Sequence, residues 1–164
     1  MNRLLRTTAH INPSNVIEKY DTVDGLSATI WRNGCCSIEL DRKESMNSLT
    51  LSNIRYLTTL LKSYICDDRV SHIVIYPVHI LEEQYTDKRK KAYCAGGDLK
   101  EFISCNREEF TRIEYTMDCL IQQYPKPIIS IMDGITMGGG AGISCLCYFR
   151  IVTENTIFSM PEVF

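Results

Sequence analysis

The chain has 164 residues, 45% of them hydrophobic and 23% charged, with a formal net charge of −2 and a pI of about 5.9. That length and balance suit one globular domain. The slight acidity removes any electrostatic case for a nucleic-acid partner. The first residues carry Arg3, Arg6 and several hydroxyls, with no acid until Glu18. This composition fits a mitochondrial transit segment, and equally a disordered basic tail. Residues 1–22 are therefore set apart as a tail, and 23–164 are assigned to the folded part. Strands are predicted at 27–32 and 35–40, joined by a turn at Asn33-Gly34. A helix follows from Thr50 to Cys66, where Leu51, Ile54, Leu57, Leu61 and Ile65 recur at helical period. Asp67-Asp68 ends it, and Ser71–Tyr76 reads as a strand. His72 inside that strand is read as structural.

Next comes the basic run Lys88-Arg89-Lys90-Lys91, preceded by Glu82, Glu83 and Asp87. It is either a solvated loop or a contact for phosphates. Ala92-Tyr93-Cys94 is a short apolar strand, and Ala95-Gly96-Gly97-Asp98 turns it into a helix. Asp98 suits the first turn of that helix, where it caps free N–H groups. Phe110, Ile113, Met117, Leu120 and Ile121 mark a second helix. Glu114 sits on or beside its apolar stripe. Such a carboxylate either reaches solvent or faces a partner.

Pro127 opens the β-branched run Ile128–Met132, which reads as a buried strand. Asp133-Gly134 is a turn signal. Gly138-Gly139-Gly140 then leads into small residues, Ala141–Cys147, that suit a helix. A strand that turns through glycines into a helix leaves backbone N–H groups open to negative charge. No lysine follows the glycines, so this is not a P-loop. The spacing Gly138-x-Gly140-x-Gly142 is not a dinucleotide fingerprint. Gly142-Ile143-Ser144 lacks the second glycine of a nucleophile elbow. Ile128–Cys147 is long enough to cross a membrane, but Asp133 and its glycines argue against that reading, and no membrane contact is assigned. Gly97 and Gly139 each present an N–H at a helix start. Two such donors aimed at one point form an oxyanion hole; each alone is only a tight turn. Strands at 149–152 and 156–159 close the chain, about a turn at Glu154-Asn155.

The eight cysteines form no Cys-x-x-Cys pair and several lie in apolar segments, so they read as reduced core residues. His10, His72 and His79 are scattered, and no metal site is assigned. No Ser-His or Cys-His nucleophile is indicated.

Three blocks together carry a specific resemblance. They are Ala92–Leu99, Lys126–Ser144 and Phe158–Glu162, with Ile38–Arg42 and Met46–Leu49 upstream. They resemble the signature blocks of the crotonase (enoyl-CoA hydratase/isomerase) superfamily, from about Leu26 to the last residue. Within it, Gly134–Ser144 is most similar to the 3-hydroxyisobutyryl-CoA hydrolase branch. The resemblance implies an α/β fold, a spiral of repeated β-β-α units, here incomplete at its C-terminal end. It implies that Gly97 and Gly139 donate N–H groups to the thioester carbonyl of an acyl-CoA. It implies that Glu162 is a catalytic carboxylate, acting as nucleophile or as general base. Glu114, just before Tyr115, matches an acid that lines the branch's substrate pocket. Hydratases of the family carry a further glutamate where this chain has Gly142, which favours thioester hydrolysis. CoA is then part of the substrate, with no separate cofactor. The branch is often mitochondrial, its role lies in valine catabolism, and its full-length members are expected to form homo-oligomers. The branch has a second acid after the Met-Pro-Glu block, a position this chain does not reach. The chain is therefore read as an N-terminal fragment, inactive alone, with apolar surface left bare along Phe158–Phe164. The alternatives are an enoyl-CoA hydratase or isomerase, or an inactive remnant that binds CoA or a partner.

Overall fold

The computed structural model describes residues 13–82 and 91–161. Two sheets organise it. The larger has six strands in the order β1-β2-β3-β4-β6-β8, and the smaller has three, β5-β7-β9. The strands are β1 (Val16–Lys19), β2 (Leu26–Trp31), β3 (Cys35–Leu40), β4 (His72–Pro77), β5 (Ala92–Cys94), β6 (Ile128–Met132), β7 (Ile135–Met137), β8 (Phe149–Val152) and β9 (Ile157–Ser159). The helices are α1 (Leu51–Tyr64), α2 (Leu99–Ser104), α3 (Arg107–Gln122) and α4 (Gly139–Cys145).

The first three strands are antiparallel; every later pairing is parallel. Asn33-Gly34 makes the β2–β3 turn. Gly34 has φ +82°, and Asn33 Oδ1 accepts from Cys35 N at 3.0 Å. From β4 onward each pass of the chain leaves one strand in the large sheet and the next in the small one. This is the α/β spiral expected from the sequence.

Some elements differ from the sequence reading. The sheet already includes β1, within the segment 1–22 that was set apart as tail, and β1 pairs with β2. The chain also forms β7 directly after Asp133-Gly134, too short to show a period. In α1 the buried face is Ile54, Leu57, Leu60, Leu61 and Tyr64. Tyr64, not Ile65, takes the last inward position, because the helix ends there. Thr50 caps it reciprocally with Asn53, satisfying two otherwise orphaned N–H groups. One core joins β2, β3, β4 and β6 to α1 and to Phe110, Met117 and Ile121 of α3. The apolar strand β8 is not buried. Phe149, Ile151, Val152, Ile157 and Phe158 are 47–60% exposed, so bare apolar surface begins earlier than Phe158. Among the described residues, no helix is long and apolar enough to cross a membrane.

Candidate active site

The two glycine turns sit side by side because the strands before them do. β5 and β7 are hydrogen-bonded neighbours, and Gly97 follows one as Gly139 follows the other. Gly97 N lies 3.5 Å from the point that a Cβ on Gly139 would occupy. Gly96 O accepts from Leu49 N, and Asp98 N donates to Leu49 O, both at 2.8 Å. These bonds use the groups on either side of Gly97, so its own N–H turns away from Leu49. Gly139 is the first residue of α4, where an N–H has no partner within the helix. Each donor follows a glycine at positive φ, Gly96 at 105° and Gly138 at 50°, a conformation that side chains resist.

Local bonds hold the first turn rigid. Asp98 caps α2 by accepting from Lys100 N and Glu101 N. It also receives Arg42, at 3.2 Å from Nη2. Burial pushes the Asp98 carboxyl up, but the Glu101 N–H and Arg42 outweigh it and hold the group below its ordinary range. Phe110 packs behind Gly97, 3.2 Å from where a Cβ would stand.

A cavity of about 450 Å³ opens on both glycines, within the size range of ligand pockets. Glu114 lines it from α3, close enough to Gly139 that any side chain there would collide with its carboxylate. The structure thus brings Gly97, Gly139 and Glu114 to one cavity. Glu162 lies outside the described residues, although Met160, two residues before it, lines the same cavity. The 88–90 part of the basic run also lies outside them.

One residue in this cavity escaped the sequence reading. Asp118 lines it beside Gly142. Burial alone pushes its carboxyl up to about 6. The usable signal was spacing: Asp118 is four residues after Glu114, and so shares its helix face. Among the described residues, no cluster of histidine, cysteine and acid side chains has the arrangement of a metal site.

The chain has relatives in both sequence and structure. The sequence profile described as enoyl-CoA hydratase/isomerase matches residues 35–164. The mitochondrial 3-hydroxyisobutyryl-CoA hydrolase of Danio rerio is 35% identical over 131 residues, 76% of this chain and 32% of that protein. The Small ribosomal subunit protein mS47 of Neurospora crassa is 36% identical over 135 residues, covering 77% of this chain and 25% of its own length. Among solved structures, an enoyl-CoA hydratase from Rhodobacter sphaeroides superposes with a TM-score of 0.71 at 32% identity, over 84% of this chain and 40% of that one. The chain spans about a third of the length of the curated hydrolases it matches. The profile match, these identities and the alternation of strands between two sheets all agree, and the chain belongs to the enoyl-CoA hydratase/isomerase family, the crotonase superfamily.

Proposed function

We propose that in the full-length protein this cavity binds an acyl-CoA thioester and hydrolyses it, with 3-hydroxyisobutyryl-CoA as the substrate type. The observation that carries this reading is the pair of adjacent backbone amides, Gly97 and Gly139, that line one cavity. In thioester cleavage the carbonyl oxygen gains negative charge as the carbon becomes tetrahedral. Two fixed N–H groups stabilise that charge without reorganising, and the loss of one such donor typically costs on the order of a hundredfold or more in rate. Glu162 is assigned the catalytic carboxylate, as nucleophile or as base for water. Glu114 is assigned to substrate contact. The hydrolase relatives support the choice of reaction.

The test is release of free CoA thiol from 3-hydroxyisobutyryl-CoA by the full-length protein, compared with its Glu162→Gln variant. Turnover in the protein and its loss in the variant, with CoA-ester binding kept, supports the reading. Undiminished turnover in the variant removes Glu162 from the mechanism.

One observation favours a second reading, hydration of an enoyl-CoA. Gly142 lacks the acid of the hydratase pattern, but Asp118 brings a carboxyl to the same spot. Loss of the absorbance of an α,β-unsaturated thioester, without thiol release, would support hydration over hydrolysis. The basic, acid-free composition of residues 1–15 and the mitochondrial hydrolase relatives support mitochondrial import. A fluorescent fusion to that segment, seen elsewhere in the cell, would count against it.

A further inference from the structure

The cavity holds one ionisable group with no part in the hydrolase reading. Asp118 lies one turn after Glu114 on α3. A Cβ on Gly142 would stand 2.8 Å from Asp118 Oδ2 and 3.0 Å from Oδ1. The carboxyl therefore fills the space that any side chain at position 142 would need. Its Oδ1 is buried and has no hydrogen-bond partner among the described residues. Buried polar atoms are nearly always paired, and one left unpaired is costly. Leu99, Phe102, Phe110 and Met160 make much of the remaining lining apolar. A wall of this kind accepts a short hydrocarbon and offers hydrogen bonding at few points. Asp118 is one of them, set a helical turn away from Glu114.

We propose that Asp118 determines acyl-group specificity, its carboxyl hydrogen-bonding a hydroxyl on the acyl moiety and so selecting hydroxyacyl-CoA esters over their plain acyl counterparts. The assignment rests on the acyl-CoA reading of the cavity. The hydroxyl donates to Oδ1, the atom that lacks a partner. A plain acyl group leaves that oxygen buried and unpaired, and sites built to bond a substrate hydroxyl reject the analogue without it.

The test uses two ligands that cannot be cleaved, the ketone analogues of 3-hydroxyisobutyryl-CoA and isobutyryl-CoA with methylene in place of the thioester sulfur. Their affinities are measured by calorimetry for the protein and for Asp118→Asn and Asp118→Leu, with thermal unfolding as the check on folding. The protein should prefer the hydroxylated analogue by about tenfold or more. Asp118→Leu should lose that preference while binding the plain analogue at least as well. Asp118→Asn, which can still hydrogen-bond, should keep part of it. Binding of both analogues without preference would overturn the Asp118 assignment alone and mean that solvent meets Oδ1. An undiminished preference in Asp118→Leu would overturn it too. Binding of neither analogue would overturn both this assignment and the acyl-CoA reading.

Discussion

Because burial raises the Asp118 carboxyl to about 6, the folded protein binds its proton more tightly than the unfolded chain does. The sign follows from linkage: between the unfolded value near 4 and the folded value near 6, the native state holds more protons, so stability falls as pH rises through that window. Asp118→Asn carries no charge at any pH. Its stability relative to wild type should therefore be higher at pH 7.5 than at pH 4. Allowing for the cavity's access to water, the difference should be on the order of 1 kcal/mol. Paired thermal melts at the two pH values measure it, and an equal offset at both would contradict the burial. Gly97, Gly139 and Glu114 were legible as candidates because their signals are local, glycines after strands and an acid on an apolar stripe. Asp118 was not read: its spacing from Glu114 put it on the same helix face, but what it meets there depends on α4 packing against α3.

At the level of elements, Asp133 does more than make a turn. Its Oδ2 meets His79 Nε2 at 2.8 Å, and its Oδ1 accepts from Asn155 Nδ2 at 2.9 Å and from Thr153 Oγ1. It thereby ties the 3₁₀ turn after β4 and the β8–β9 turn to the β6–β7 turn. Burial pushes this carboxyl up, but the bonds from His79, Thr153 and Asn155 outweigh it and hold it well below the usual range. Stability from this group is present above the ordinary carboxylate range and is lost as pH falls through the lowered value. Asp133→Ala should cost about 2–4 kcal/mol near neutral pH, read by denaturant unfolding; a cost under about 0.5 kcal/mol would show that the ties contribute little. Gly140 marks another junction, where a Cβ would overlap the Cys94 carbonyl oxygen of β5. Backbone cannot step aside as a side chain can. Gly140→Ala should destabilise the fold by about 1–3 kcal/mol, and an unchanged melting temperature would mean that α4 shifts freely. Asp133-Gly134 was legible as a turn, since its chemistry is local. Its three partners come from other passes of the chain and were not.

For the whole molecule, the α/β class and most strands were readable because apolar runs such as Ile128–Met132 end in glycine or acidic punctuation. Membership of a six-strand or a three-strand sheet was not, since β5, β7 and β9 span only three residues each and show no period. β8 was read as a strand, and the structure leaves it exposed despite its apolar composition. Edge position and exposure together imply uneven cooperativity. Amide exchange should be slowest in β3 and β4, which have neighbours on both sides and core contacts, and faster in β8 and β9. Equal protection in β4 and β8, measured by hydrogen exchange under native conditions, would contradict that gradient.

The pairing of β5 with β7 sets a ruler for chemistry. Cys94 is in register with Thr136, and Thr136 with Phe158 of β9. Counting three residues on from each gives Gly97, Gly139 and Pro161, with Glu162 next in sequence. Neighbouring strands stand roughly 4.8 Å apart, so the separation of the Gly97 and Gly139 amides follows from the pairing of the strands that precede them. A one-residue slip of β7 against β5 would reverse every side chain on it and misalign the donors in the same step. Loops between passes can then lengthen or shorten at little cost to the spacing of the two amides.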